Sequence, residues 1–108
     1  MKVKNLNLLF ISGSMIYWVI YDIKNNSRRL KVSEECKNFG MERVQKSVFI
    51  GIITKNQAEM LAIKCKELVD RDDCVFIIAT CNNCFSNKII IGDFDEEKVK
   101  KMNFVVVN

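Results

Sequence analysis

Between Met15 and Asp22 the chain reads Met-Ile-Tyr-Trp-Val-Ile-Tyr-Asp, and few folds have a place for such a stretch. From Ile16 to Tyr21 every residue is β-branched or aromatic, which leaves neither face of a strand polar. A run of this kind predicts a central strand buried on both faces. At Asp22 the apolar character breaks off, with Ile23 and then the polar Lys24-Asn25-Asn26-Ser27 following. A carboxylate at the C-terminal tip of a buried strand sits at the rim of the core. There it stays charged only where water, a cation or a metal satisfies it. Asp22 therefore has two readings: a residue that ends a strand or opens a turn, or a functional group.

The chain contains no histidine. That removes Ser-His-Asp and Cys-His nucleophilic schemes, the usual zinc-hydrolase ligand sets and paired-imidazole acid–base chemistry. The four glycines are too few and too scattered for a Gly-x-Gly-x-x-Gly or Walker-type phosphate loop. Hydrolysis near neutral pH would fall to carboxylates and a hard cation. At 108 residues, 49% of them apolar and 28% charged, the chain supports one domain with one real core. Its net charge of +4 is uneven. Residues 15–47 hold seven Lys/Arg against four Asp/Glu, whereas residues 48–108 hold eight against nine. The excess fits an anionic partner near the candidate strand, or a merely solvated basic surface.

Residues 1–14 read as an arm, a vector-derived leader or an upstream start, ahead of a single domain over 15–108. Leu8-Leu9-Phe10-Ile11 is too short for an export signal, and Ile11-Ser12-Gly13-Ser14 is a poor cleavage site. No stretch is long enough to span a membrane. Cytoplasm is the default, with the five cysteines reduced.

After Asp22, Asn25-Asn26-Ser27 offers turn residues and a helix cap. A helix is expected over Arg28–Phe39, burying Val32, Cys36 and Phe39 with Leu30 alongside. Gly40 stands where a left-handed cap is wanted. Glu42 to Ile53 reads as strand, broken at Gly51 by a bulge or tight hairpin. Thr54-Lys55-Asn56-Gln57 has the form of a capping box. The helix that follows places Ala58, Leu61, Ala62, Cys65, Leu68 and Val69 at helical spacing and ends in Asp70-Arg71-Asp72-Asp73. Cys74–Thr80 is a second apolar strand, Cys81-Asn82-Asn83-Cys84 a turn, Lys88–Ile91 a short strand and Phe104–Val107 a closing strand. Cys36, Cys65 and Cys74 suit buried positions. Cys81-x-x-Cys84 has no second pair or histidine to complete a zinc site, and a redox motif belongs at a helix N-terminus. The acidic Asp93, Asp95, Glu96 and Glu97 have the residue types of a metal site but read better as a solvated loop. The element order is that of a ferredoxin-like βαββαβ domain: an α+β fold, antiparallel sheet, two helices on one face, here with extra C-terminal strands. Fold alone leaves function open.

Tyr21-Asp22-Ile23, then Arg28-Arg29 at a helix head, then Gly40-Met41-Glu42-Arg43-Val44-Gln45-Lys46-Ser47-Val48-Phe49-Ile50-Gly51 resembles the small CRISPR-associated nuclease family, the second of the Cas proteins. The likeness runs from Met15 to about Ile91, and the arm before Met15 departs from it. The resemblance implies a homodimer whose strand-end aspartates face each other and hold Mg²⁺ or Mn²⁺. It implies metal-dependent endonuclease activity on RNA or DNA, acting in spacer acquisition alongside the CRISPR integrase subunit. A non-catalytic DNA-binding scaffold of that complex is the alternative. A VapD-type ribonuclease toxin shares the fold. Carried over, Asp22 is the catalytic and metal-binding residue, and Tyr21, Arg29, Arg43 and Phe49 stand where the family has activity-supporting residues. Arg28 adds charge beside them. Lys31 stands where a second arginine is common, and a lysine lacks the bidentate fork. Without the resemblance, Arg29 and Arg43 read equally as surface partners of Glu34 or Glu42, and Phe49 as a core or interface aromatic. In the family the closing strand commonly adds to the partner's sheet.

Overall fold

The apolar stretch is strand β1, Ser14–Asp22, in the computed structural model of the protein, which describes residues 13–95 and Glu97. It is followed by α1 (Asn26–Asn38), β2 (Glu42–Gln45), β3 (Val48–Thr54), α2 (Lys55–Leu68), β4 (Cys74–Thr80) and a one-turn helix α3 (Asn82–Ser86). The strands form one sheet in the order β2-β3-β1-β4 with every pairing antiparallel. This is a ferredoxin-like α+β fold with β1 internal. Val19 lies opposite Phe49 on one side and Ile77 on the other, and is fully buried.

Each face of β1 feeds its own core, because side chains alternate along a strand. Tyr17, Val19 and Tyr21 join Phe49 and Ile53 against the inner stripes of the helices, among them Val32, Cys36, Leu61 and Cys65. Ile16 packs on the opposite face with Val44, Ile50 and Phe85, and Trp18 packs against that cluster. The Trp18 ring lies 5.8 Å from Phe85 and 6.1 Å from Phe94. Burying aromatic and branched side chains of this size contributes about 1.5–3 kcal/mol each.

Local signals set the element ends. Asn25 caps α1 by accepting the Arg28 N–H at 2.9 Å. Gly40, at φ +82°, lets the chain leave α1 in the left-handed region while Met41 N–H returns to the Cys36 carbonyl at 3.1 Å. The Thr54–Gln57 capping box forms in both directions.

Several expectations are corrected. The hairpin turns at Lys46-Ser47, and Gly51 lies inside β3, where Met41 fills the space above it. The hairpin does carry an irregularity, but between Arg43 and Gln45. Leu30 is 57% exposed rather than part of the buried stripe. Cys36 and Cys65 are buried, but Cys74 is exposed at the start of an edge strand. Lys88–Ile91 is not a strand, and the Lys88 ammonium lies 3.8 Å from the Phe85 ring centre. Cys81–Cys84 is the first turn of a helix. Residues 1–12 and Phe104–Val107 lie outside the described residues, and with them most of the expected arm and the closing strand. Among the described residues no helix is long and apolar enough to cross a membrane.

A Cβ on Gly51 would lie 2.7 Å from Met41 Cγ and 3.1 Å from Met41 Cα. The side chain can swing aside, but the backbone atom cannot do so without moving the α1–β2 connection. Gly51→Ala is expected to lower unfolding free energy by about 1–3 kcal/mol, read as an earlier urea midpoint with an unchanged slope.

Candidate functional site

β1 carries Tyr21 and Asp22 to its C-terminal end, where α1 begins and the β2–β3 hairpin turns. The three segments enclose a cleft of about 550 Å³ whose walls include Tyr21, Asp22, Arg29, Arg43, Lys46 and Ser47. Both parts of the segment pattern that marked Tyr21-Asp22 and Arg43–Gly51 thus meet in one place.

Tyr21 is buried and stacked on Phe49 at 6.4 Å, with its hydroxyl 3.5 Å from the Lys46 carbonyl. Burial raises its phenol above the ordinary 10.0, while Arg43 and Arg29 pull the other way. At neutral pH it is therefore a neutral donor. Phe49 is fully buried and acts from below: the Arg43 guanidinium lies 5.0 Å over its ring. Arg43 Nη1 also donates to the Lys46 carbonyl at 2.6 Å. Arg29 Nη1 donates to the Ile23 carbonyl at 2.7 Å, and its Nη2 contacts Asn26 Oδ1. Both arginines are thus held in place before any ligand arrives, which spares a bound anion the cost of ordering them.

Asp22 differs from its buried neighbour. Its side chain is 76% exposed, and its one ion pair among those described is with Lys24 at 3.4 Å, itself exposed. Such a pair adds little, so the carboxylate is open to a stronger cation.

Arg28 and Lys31 do not join the cleft. Lys31 is exposed on α1. Arg28 reaches across the fold instead. Its Nε donates to Asp73 Oδ2 at 2.8 Å and its Nη2 to Oδ1 at 3.3 Å, with Asp70 4.0 Å from Nη1. Asp73 also accepts the N–H groups of Asp70 at 2.9 Å and Lys24 at 3.3 Å, and its side chain has no solvent exposure. This carboxylate clamps the segment after Asp22 to the start of β4. Sequence reading missed Asp73, which looked like one of several acids ending a helix, and missed Lys46 and Ser47, which looked like strand. A charged residue one step before a strand was the only signal for the first. The turn type at Lys46-Ser47 carried none.

A βαββαβ domain with a carboxylate at the tip of its first strand and a cationic cleft beside it defines a ferredoxin-like class with a site at one end of the sheet. The family model for the CRISPR associated protein Cas2 matches residues 15–88, and the chain belongs to that family. It is 38% identical over 88 residues to the CRISPR-associated endoribonuclease Cas2 1 of Archaeoglobus fulgidus, covering 81% of this chain and 94% of that one. It is 39% identical over 64 residues to the CRISPR-associated endoribonuclease Cas2 of Thermofilum pendens, covering 59% and 69%. Among solved structures, a hypothetical protein from Thermus thermophilus superposes with a TM-score of 0.66 at 28% identity, covering 77% of this chain and 96% of that one. A crystal structure of Cas2 gives 0.62 at 30% identity, covering 74% and 90%.

The Arg28–Asp73 clamp has a pH signature. Its hydrogen bond to Arg28, then that to the Asp70 N–H, lowers the Asp73 carboxyl from 3.8 to about 2. A carboxyl depressed on folding contributes stability that is fully present above the unfolded value and lost as pH falls through the folded one. Urea unfolding between about pH 5 and pH 2 is therefore expected to show stability falling with acid, and Asp73→Asn to flatten that arm and lower the plateau above it.

Proposed function

We propose that the protein is a CRISPR-associated, metal-dependent endonuclease that hydrolyses phosphodiesters in RNA or DNA and acts as a homodimer in spacer acquisition. The observation that carries this reading is the pairing of opposites at one strand end: an exposed, weakly partnered Asp22 carboxylate beside the preorganised Arg29 and Arg43. The names of the A. fulgidus and T. pendens relatives, both endoribonucleases, support it.

The donor set fits a hard divalent ion in a limited way. Mg²⁺ binds through one or two carboxylates, keeps several waters and takes substrate phosphate oxygens as further ligands. Asp22 offers one carboxylate, and among the described residues no group of three or more acids or cysteines is placed to hold a metal ion. The residue that would hold Mg²⁺ or Mn²⁺ is therefore Asp22, with a second copy or the substrate completing the shell. A bound ion supplies an activated water and neutralises charge on the phosphate. The chain's own residues supply the rest. Arg43, stacked and pinned, and Arg29, tied to the loop carbonyl, hold phosphate oxygens. Lys46 adds charge at the rim, and the neutral Tyr21 hydroxyl at the cleft wall is a donor rather than a base.

The sheet's second face supports the dimer. Ile20, Phe76 and Ile78 share it and stay 36%, 52% and 43% exposed, where α3 and Phe94 do not reach. Phe76 and Ile78 lie on an edge strand, and an apolar edge invites a partner. Asp22 shares this face two residues beyond Ile20, so a symmetric pairing through it would draw two Asp22 carboxylates toward one axis.

A second reading has its own observation. The cationic side chains of the cleft, Arg29, Arg43 and Lys46, come from one chain, whereas the carboxylate half is a single group. That favours a non-catalytic, DNA-binding scaffold working with the integrase subunit. Asp22→Asn separates the two. Cleavage of RNA or DNA is expected to vanish in the variant and in excess EDTA, with thermal unfolding unchanged. Cleavage that persists in either condition overturns the nuclease reading, and unchanged binding by the variant supports the scaffold role beside it.

The cleft's affinity is expected to be electrostatic. Arg29→Ala with Arg43→Ala should lower the salt dependence of binding by about 1.8 units on duplex DNA, or about 1.4 on single strands. Unchanged affinity and slope would place the nucleic-acid surface elsewhere.

A further inference from the structure

We propose that Cys81 and Cys84 form a redox-active dithiol that exchanges with small disulfides. The pair stands apart from the cleft, at the far end of β4, and the nuclease reading leaves it without a role.

The argument is geometric. Cys81 is the N-cap of α3, with extended backbone at φ −79°, ψ 168°, and Cys84 occupies the first turn. The helical turn sets the Cys84 N–H on Cys81 Sγ, a hydrogen bond of 3.3 Å. Both residues are exposed. A Cys-x-x-Cys pair in which the first sulfur accepts the N–H of the second brings both sulfurs onto one turn, where a short intramolecular bridge can close. The same hydrogen bond prefers the anionic form of the first sulfur. Accordingly the Cys81 thiol is lowered from its ordinary value, first by the Cys84 N–H and then by the Cys84 thiol, while the Cys84 thiol is raised by its neighbour. This assigns distinct roles: Cys81 attacks and Cys84 resolves. A small recess of about 220 Å³, lined by Met15, Thr80, Cys81 and Asn82, opens beside Cys81.

The other thiols make the contrast. Cys36 and Cys65 are buried, and burial pushes them up to about 12 and about 11. They are core residues. Cys74 is exposed on β4 and serves as an internal reference.

The exchange balances in two steps. The Cys81 thiolate attacks one sulfur of the disulfide, forming a mixed disulfide and releasing one small thiolate. Cys84 then loses its proton and attacks Cys81 Sγ, forming the Cys81–Cys84 bond, breaking the mixed disulfide and releasing the second small thiolate. The pair has lost two electrons and two protons. The small disulfide has gained them as two thiols.

The experiment uses the full chain, reduced and then exposed without denaturant to bis(2-hydroxyethyl) disulfide at graded ratios to 2-mercaptoethanol. Free thiols are alkylated, and intact mass and peptides are read. The expected result is a species lighter by two hydrogens, with Cys81 and Cys84 both protected and both recovered by dithiothreitol. Initial capture at Cys81 should be several-fold faster than at Cys74, and Cys84→Ser should stop at a mixed disulfide on Cys81. The proposal is overturned if Cys74 reacts while Cys81 and Cys84 stay labelled, or if the wild-type mixed disulfide does not close. It is also overturned if a chelator, rather than a reductant, releases the protection, which would mean a metal held by the pair.

Discussion

Strand β1 belongs to two cores at once. Its edges are satisfied by β3 and β4, so its backbone needs no water, and its faces are claimed by different layers. Tyr17, Val19 and Tyr21 point to the helices, while Ile16 and Trp18 point to α3 and Phe94. Neither layer would be buried without it. The helix-side core runs on past the strand to Ile23, which is buried. The opposite face gives out sooner: Ile20 is already 36% exposed, and the next side chain on that face is Asp22. The exposed carboxylate thus stands where the apolar pattern of that one face ends.

Around that point the fold sorts its cations by task. Arg28 and Arg29 are adjacent on the first turn of α1, yet they face different ends of the problem. Arg28 is spent on Asp73, which also gathers the Lys24 and Asp70 amides and so anchors the loop after Asp22 to β4. Arg29 turns to the cleft and is pinned by the Ile23 carbonyl. A carboxylate that accepts four N–H donors from three segments ties those segments together. The anchor and the site are therefore mechanically linked. Phe49 plays a comparable part from inside the core, carrying both the Tyr21 ring and the Arg43 guanidinium on one aromatic surface.

The sheet's second face shows how a short domain shares its burial. α3, Phe85 and Phe94 cover only the part around Ile16 and Trp18, and Lys88 lies over Phe85 rather than extending a strand. The uncovered remainder around Ile20, Phe76 and Ile78 lies on the side that also carries Asp22. The uncovered apolar surface and the exposed carboxylate thus lie on the same face of the sheet.

Much of this was readable from neighbours along the chain. The two-sided strand, the Asn25 cap, the Gly40 exit, the Thr54–Gln57 box and the βαββαβ order are all signalled by residues within a few positions of one another, where periodicity and capping chemistry act. The grouping of Tyr21, Asp22, Arg29 and Arg43 came from resemblance, and the folded chain places all four on one cleft. Other features needed distance. Nothing near Arg28 marks a partner 45 residues away, and nothing around Gly51 says that Met41 fills the space above it. A Cys-x-x-Cys that looks like a turn becomes the start of a helix once Phe85 must reach Trp18. Leu30 and Cys74 are apolar residues that the packed layers leave exposed. Period and caps decide which segment becomes which element. Which side chains meet across the sheet, and so which charges are anchors and which remain for a ligand, is decided only when the layers pack.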